Sequence, residues 1–337
     1  MYRVITILML LVYSKSAFAM PAFPPDYEKR RVIICSDIGG GDEDDIQSMI
    51  HFLVYSNMFD LEGIVISRPR GHISKMKEVI KAYKKDYQRL LFISPDYPTP
   101  TRLRQITKIG AERNKQSPSQ GYSNSTPGSR LIVQAGRKND PRPLYLMSWG
   151  SVTDIAQAIH DAPDIHTKLN IISGGTIASG VSGYNERGDP SPYKYLRSLH
   201  GRKFRLIECS WCGGGLYTAG IRSKAKYGNV GFVSQVIKSR GFLGKLFYKI
   251  SKDININSYG IKMGDSAQVL YIFNGNFENP FEESWGGRYC KVEKNYFREC
   301  KQDIRDGSYN DYNSIVAKHR LDFLKDWEQR LIAIYDH

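Results

Sequence analysis

Residues 31–45 have the sequence RVIICSDIGGGDEDD, in which an apolar run leads into glycines and carboxylates. Val32, Ile33 and Ile34 are β-branched, and a glycine-rich segment follows them, a pattern typical of a buried parallel strand that runs into a loop. In α/β sheets, binding sites form beyond the carboxyl ends of the strands. We therefore expect functional side chains in the loop that begins at Asp37.

This loop is strongly acidic. Five carboxylates lie within nine residues, at Asp37, Asp42, Glu43, Asp44 and Asp45. Like charges at this spacing repel one another unless a cation neutralises them, and oxygen ligands on a glycine-bearing loop suit a hard cation, Ca²⁺ before Mg²⁺. The alternative is that Asp44 and Asp45 stabilise the N-terminus of the next helix. Capping accounts for only one or two of the five carboxylates, so a metal site is the hypothesis that explains the others.

Strands alternate with helices along the rest of the chain. Besides the strand at 31–35, the pattern predicts strands at 61–66, 90–93, 143–149 and 169–173, and helices at 46–54, 74–87, 129–136, 151–160 and 319–335. This alternation predicts an α/β fold with a doubly wound, mainly parallel sheet flanked by helices. The composition does not change after residue 30, so residues 31–337 are predicted to form one domain.

The first 19 residues have the features of a secretory signal peptide. Arg3 supplies a positive charge, residues 4–13 are apolar, and Ala17-Phe18-Ala19 is a small-x-small cleavage site. We expect cleavage after Ala19, a linker over residues 20–30, and a secreted or periplasmic protein with no transmembrane anchor after cleavage. The alternatives are a retained membrane anchor and a buried first strand.

Charge and cysteine content narrow the functional classes. The chain carries 48 Lys and Arg against 34 Asp and Glu, a net charge of +14. The basic residues are scattered rather than interleaved with aromatic residues, so we predict no specific nucleic-acid partner. Cys290 and Cys300 could close a loop, while Cys209 and Cys212 form a C-x-x-C motif. Since no second ligand pair has zinc spacing, the simplest expectation is one structural disulfide with the other thiols buried.

The acidic loop also resembles the sequence motif of a known protein family. Asp37-x-Gly followed by Asp44-Asp45, between a strand and a helix, resembles the aspartate signature of the Ca²⁺-dependent nucleoside hydrolases. Residues 36–49 and 55–63 are more similar to a secreted bacterial branch, whose nucleoside-hydrolase-like domain also occurs in a cellulose-binding protein. Stretches at 143–163, 174–175, 261–266 and 284–288 agree with it, so the resemblance covers about residues 30–335 in order.

The resemblance implies a role for each matching residue. Asp37 corresponds to the aspartate that contacts Ca²⁺ and acts as general base, and Asp45 to the bidentate metal ligand. Asp44 corresponds to the carboxylate that holds a ribose hydroxyl. Thr153 lies where the family donates a backbone carbonyl to the metal, and Asp265 matches the late aspartate that completes the ligand set. These roles imply an N-glycosyl hydrolase acting on a small riboside or glycoside; a homo-oligomer is a further expectation, because members commonly oligomerise.

The chain also departs from the family pattern. Gly264 precedes Asp265 where several members have the histidine proposed to protonate the leaving base, and Cys35 replaces another aspartate. A substrate other than the common purine or pyrimidine nucleosides is therefore expected. The alternative function is a glycan- or polysaccharide-binding or glycan-processing protein on the same scaffold. Trp149 and Trp285 are candidate substrate-stacking surfaces, as is Trp211; core or loop packing is the alternative for all three.

Overall fold

A mainly parallel sheet organises the fold. In this computed structural model the described residues form the strands β1 Arg30–Ser36, β2 Phe59–Ile66, β3 Thr107–Ile109, β4 Leu144–Ser148, β5 Leu169–Gly174, β6 Arg205–Cys209, β7 Tyr289–Glu293 and β8 Tyr296–Glu299. Their order across the sheet is β3-β2-β1-β4-β5-β6-β8-β7. Neighbouring strands are parallel from β3 through β8, and β7 pairs with β8 in the antiparallel direction. The predicted α/β fold class is confirmed.

The structure describes residues 28–40, 44–67, 69–112, 116–178, 183–199, 203–218, 228–253, 260–303 and 314–336. The predicted signal peptide over residues 1–19 lies outside the described residues, as does the predicted linker up to residue 27. Asp42 and Glu43 of the acidic loop lie outside them as well.

Helices cover both faces of the sheet. They are α1 Asp44–Val54, α2 Pro69–Ile93, α3 Pro100–Ile106, α4 Pro127–Gly136, α5 Thr153–Asp161, α6 Tyr184–Gly188, α7 Pro190–Leu199, α8 Val230–Phe232, α9 Gly241–Asp253, α10 Ser266–Asn274, α11 Ile315–Lys318 and α12 Arg320–Tyr335. Apolar residues of α1, α2, α9, α10 and α12 pack on one face, and those of α4, α5 and α7 on the other. No helix among the described residues is both long enough and apolar enough to cross a membrane.

The central strands are apolar on both sides because both of their faces are covered. In β1, Val32 and Ile34 belong to one core cluster, whereas Ile33 and Cys35 belong to the other. All four residues are fully buried. A strand covered on both faces has a continuous apolar run rather than alternation, which is why the sequence pattern identified β1 correctly.

The predicted strand at residues 90–93 is wrong. These residues end α2, and the edge strand beside β2 is instead Thr107–Ile109. Leu90 is fully buried, while Phe92 is 72% exposed, because one side of the helix faces solvent. A run of four apolar residues does not distinguish a short strand from the end of a helix.

The cysteine pairing also differs from the simplest expectation. Cys290 and Cys300 form the expected disulfide across the β7–β8 hairpin. Cys209 and Cys212 form a second disulfide that closes the C-x-x-C motif. Cys35 is a buried free thiol, and its burial raises its pKa.

Candidate metal and substrate site

A cavity of about 380 Å³ lies beyond the carboxyl ends of β1, β4, β5 and β6. Its walls come from the segments that follow these strands: Asp37 and Gly40 after β1, Trp149 after β4, Gly175 after β5, and residues 210–214 after β6. Because parallel strands present the same ends to one edge of the sheet, residues far apart in sequence meet in this cavity.

Three aspartates come together in the cavity. One carboxylate oxygen from each of Asp44, Asp45 and Asp265 lies within 4.8 Å of the other two. Ca²⁺ binds oxygen at about 2.3–2.6 Å, so two oxygens up to roughly 5 Å apart can share one ion. An all-oxygen donor set at this spacing fits a hard divalent cation.

Hydrogen bonds fix the carboxylates of Asp44 and Asp45, the first residues of α1. Ser36 Oγ donates to Asp45 Oδ1 at 2.5 Å and accepts from Ile38 N at 3.0 Å. Asp44 Oδ1 accepts from Asp45 N at 3.1 Å, and Tyr217 Oη donates to Asp44 Oδ2 at 3.5 Å. The end of β1 therefore holds one carboxylate, and a residue that follows β6 contacts the other.

Asp265 and Asp37 reach the cavity from opposite ends of the sequence. Asp265 immediately precedes α10, and its carboxylate makes no capping hydrogen bond to that helix. Asp37 lines the same cavity and is 5% exposed, but it does not belong to the three-aspartate group. A Cβ atom placed on Gly150 would lie 2.6 Å from Asp37 Oδ1. The carboxylate of Asp37 therefore packs directly against the backbone of the loop after β4.

The structure places the other sequence-predicted residues as follows. Trp149 lines the cavity, although its side chain is almost fully buried. Thr153 begins α5, its Oγ1 donates to Asp189 Oδ2 at 2.8 Å, and it is not among the residues that line the cavity. Trp285 is also not among them; it stacks on Phe273 with ring centroids 5.8 Å apart. Neither residue lines the cavity, so the roles predicted for Thr153 and Trp285 stay predictions, and Trp285 is partly buried against the core.

Several cavity residues carried little or no sequence signal. Trp211 lines the cavity within the C-x-x-C motif, and Tyr217 and Gln268 line it elsewhere. Asn185 also lines it and donates from Nδ2 to Gly174 O at 3.2 Å. The sequence pointed to the C-x-x-C motif and to Trp211 as a candidate stacking surface. Tyr217 and Gln268 are of common types, and nothing in their local sequence distinguishes them from residues elsewhere in the chain. Asn185 is of a type that binds ribose, but the resemblance around it is too loose to assign it a role.

A buried carboxylate supports the turn that carries Trp211. Glu299 Oε2 accepts hydrogen bonds from Ser210 N at 3.1 Å and from Trp211 N at 2.7 Å. Burial raises the pKa of Glu299 to about 7, and the amide hydrogen bonds offset part of the rise that burial causes. Glu299 thus joins the end of β8 to the wall of the cavity.

Most of the chain matches a known protein family. A family model described as cellulose-binding Sde182, nucleoside hydrolase-like domain matches residues 31–289. A nucleoside hydrolase-related protein from Saccharophagus degradans, associated with carbohydrate metabolism, superposes with a TM-score of 0.65 and 21% identity, covering 91% of this chain and 72% of that one. A sequence comparison with curated proteins gives no match.

Two more distant structures have the same fold. An inosine-guanosine nucleoside hydrolase has a TM-score of 0.50 and 14% identity, over 90% of this chain and 99% of that one. The type III effector protein XopQ, solved in complex with adenosine diphosphate ribose, has a TM-score of 0.51 and 10% identity, over 93% and 95% of the two chains. At these identities the similarity establishes the shared fold alone.

Proposed function

The protein belongs to the family of cellulose-binding Sde182 nucleoside hydrolase-like domains, and from this premise we propose that it is an exported, Ca²⁺-dependent hydrolase of N-glycosidic bonds in nucleoside-like compounds. The observation that carries the proposal is the meeting of Asp44, Asp45 and Asp265 in one cavity, with Asp37 in the wall of the same cavity. This arrangement combines a cation site with a separate carboxylate that can accept a proton.

Asp44, Asp45 and Asp265 would hold the cation. When bound, Ca²⁺ supplies positive charge that orients the hydroxyls of a sugar and makes an attached water more acidic. The spacing of the three carboxylates supports this ligand set over the one inferred from the resemblance, which included Asp37 and Thr153. Hydrogen bonds from Ser36 and Tyr217 keep two of the three carboxylates in place.

Asp37 is the proposed general base. Its carboxylate is buried and packed against Gly150, so it has little freedom to turn away from the cavity. It accepts the proton of the attacking water as the C–N bond to the leaving group breaks and an oxocarbenium-like centre forms at the sugar. Other glycoside hydrolyses follow the same scheme, in which one carboxylate accepts the proton of the attacking water.

The leaving-group side differs from that of the common nucleoside hydrolases. Gly264 has no side chain, and a Cβ atom there would lie 2.5 Å from Tyr217 Oη. The tyrosine therefore occupies the space that a side chain at position 264 would need. This supports a substrate other than the common purine and pyrimidine nucleosides.

A glycan-binding or glycan-processing function is the second candidate. It is favoured by the family description and by two aromatic residues that line the cavity, Trp211 and the 58% exposed Tyr184. Aromatic faces of this kind can stack on sugar rings. Release of reducing sugar from a panel of nucleosides, nucleotides and glycosides would indicate hydrolysis. Retention on insoluble cellulose without sugar release would favour binding.

The cation site can be tested by thermal unfolding. Ca²⁺ should raise the Tm and EDTA should lower it, because a ligand at 100 times its Kd stabilises the folded state by about 2.7 kcal/mol. Asp45→Asn should remove the response, and Asp322→Asn, which changes an exposed carboxylate on α12, should retain it. A wild-type Tm that does not respond to Ca²⁺, with no sugar released from any substrate, would overturn the proposal.

Export is proposed from the features of residues 1–19 together with the two disulfides, which persist in oxidising compartments. In the native host, the mature protein should be recovered from the periplasm or the medium with Met20 as its first residue. N-terminal sequencing checks this, and recovery of the uncleaved chain from the cytoplasm would contradict it.

A further inference from the structure

The C-x-x-C turn forms one wall of the cavity. Cys209 ends β6, Cys212 begins a 3₁₀ turn, and their disulfide closes the segment between them. All residues from Cys209 to Gly214 line the cavity. The turn therefore borders the same space as the three aspartates, although the proposed hydrolysis does not use its sulfur atoms.

One line of contacts runs from this turn to Asp44. The Trp211 ring meets the Tyr217 ring edge to face, with centroids 6.2 Å apart. The backbone of Tyr217 is tied to the same turn, because its N–H donates to Gly214 O at 3.1 Å. The Tyr217 hydroxyl then donates to Asp44 Oδ2. The position of the Tyr217 ring, and with it one contact of Asp44, thus depends on the turn.

A second line of contacts runs to Asp265. Gly213 lies against the backbone of Gly264, since a Cβ atom on Gly213 would be 3.0 Å from Gly264 O. Gly264 immediately precedes Asp265 and also lies against the Tyr217 hydroxyl. A shift of the turn would therefore move the backbone that presents Asp265.

We propose that the Cys209–Cys212 disulfide is a positioning element of the cation site, and that its reduction weakens divalent-cation binding while the domain stays folded. The inference rests on the proposed function, because it takes the three aspartates as the cation ligands. The turn has a second anchor in Glu299, which accepts from the amides of Ser210 and Trp211. Reduction should therefore loosen this wall rather than unfold it.

The chemistry is a thiol–disulfide exchange with a small dithiol that enters the cavity. The dithiol attacks one sulfur, the Cys209–Cys212 bond breaks, and the mixed disulfide resolves within the reagent. The protein gains two electrons and two protons as two thiols, and the reagent leaves as its cyclic disulfide. An oxidised dithiol reverses the change.

The test uses the full chain carrying Cys290→Ala and Cys300→Ala, so that Cys209–Cys212 is the disulfide that remains. Ca²⁺ affinity is measured by calorimetric titration in the oxidised protein, after reduction with dithiothreitol, and after reoxidation. Thiol alkylation and mass spectrometry confirm each state, and circular dichroism confirms the fold. We expect the Kd for Ca²⁺ to rise about tenfold on reduction and to return on reoxidation, a reversibility that general damage to the fold would not show.

A matched variant separates the possible failures. Cys209→Ala/Cys212→Ala, which retains the Cys290–Cys300 disulfide, should bind Ca²⁺ as weakly as the reduced protein, with or without dithiothreitol. If either double variant fails to fold, the comparison of wild type with the remaining variant, each with and without dithiothreitol, gives the same test. Equal affinity in the oxidised and reduced states would overturn this inference. Absence of Ca²⁺ binding in the oxidised wild type would instead overturn the proposed function.

Discussion

Gly150 shows how one residue without a side chain fixes the position of the proposed general base. Asp37 occupies the space beside it so closely that a Cβ atom would come within 2.6 Å of Oδ1, far inside ordinary contact. Since Asp37 is short and buried, it has no easy way to move aside. The proposed base is thus held by the absence of a side chain on the neighbouring loop.

Gly150→Ala should displace Asp37 and reduce kcat for glycoside hydrolysis by about 100-fold, the order of loss expected when a reacting group moves by about 1 Å. Ca²⁺ should still raise the Tm, because the three-aspartate group does not include Asp37. Steady-state kinetics and thermal unfolding measure the two effects. Gly231→Ala, at the start of α8, serves as the control, and unchanged kcat in Gly150→Ala would contradict the role of this contact.

Glu299 should make stability depend on pH. Its pKa rises in the folded state from 4.5 to about 7 because it is buried. The stability that the protonated carboxyl contributes is therefore fully present below pH 4.5 and is lost as the pH rises through 7. The loss amounts to about 3 kcal/mol of unfolding free energy. Glu299→Gln, which can still accept the two amide hydrogen bonds, should therefore gain stability relative to wild type between pH 5 and pH 8.

Urea denaturation at the two pH values measures this gain, with the exposed Glu293→Gln as control. An equal stability difference between Glu299→Gln and wild type at both values would show that the carboxyl titrates normally.

Among the helices, α4 has an N-terminal cap that also contacts a neighbouring helix. Thr126 Oγ1 accepts from Ser129 N at 2.9 Å in a capping box and donates to Asp154 Oδ1 at 2.5 Å. Burial raises the pKa of Asp154, and the hydrogen bond from Thr126 opposes that rise. One hydroxyl therefore links α4 to the buried start of α5.

Thr126→Ala should lower the free energy of unfolding by about 1–2 kcal/mol, because it removes the cap and one hydrogen bond to a buried carboxyl group. Thr126→Ser retains the hydroxyl and should lose less than half of that amount. Chemical denaturation measures both variants. If the two variants were equally destabilised, the methyl group rather than the hydroxyl would be the source of the effect.

The secondary-structure elements differ in how well sequence patterns predict them. The helix over residues 320–335 and the strands β1, β2, β4 and β5 follow from long or doubly buried apolar patterns. Strand β6, which carries the C-x-x-C turn, was missed, because glycine, tyrosine and lysine surround it and its five residues are too few to show a period.

Over the whole chain, the net charge of +14 predicts weak, non-specific attraction to polyanions rather than a recognition site. Two DNA duplexes of unrelated sequence should bind with equal affinity. Binding should fall steeply between 50 and 200 mM salt, because the release of counterions from the DNA contributes less free energy at higher salt. Fluorescence anisotropy measures the binding. Asp37→Asn should bind as wild type does, and a preference for one duplex would contradict this prediction.

The sequence by itself determined some features of the candidate site, and the tertiary structure decided the others. The strands β1, β2, β4 and β5, the acidic loop at residues 37–45 and the resemblance to nucleoside hydrolases follow from patterns within short segments, because strand burial and charge repulsion act between near neighbours in the chain. The place of Asp44 rather than Asp37 beside Asp45 and Asp265, the absence of Thr153 and Trp285 from the cavity, and the contacts of the C-x-x-C turn with Tyr217 and Gly264 became visible only in the folded chain. Except for Tyr217, which lies close to the turn in sequence, the residues that meet here are separated by tens to hundreds of positions, and packing at the carboxyl ends of the strands, rather than any local preference, brings them together.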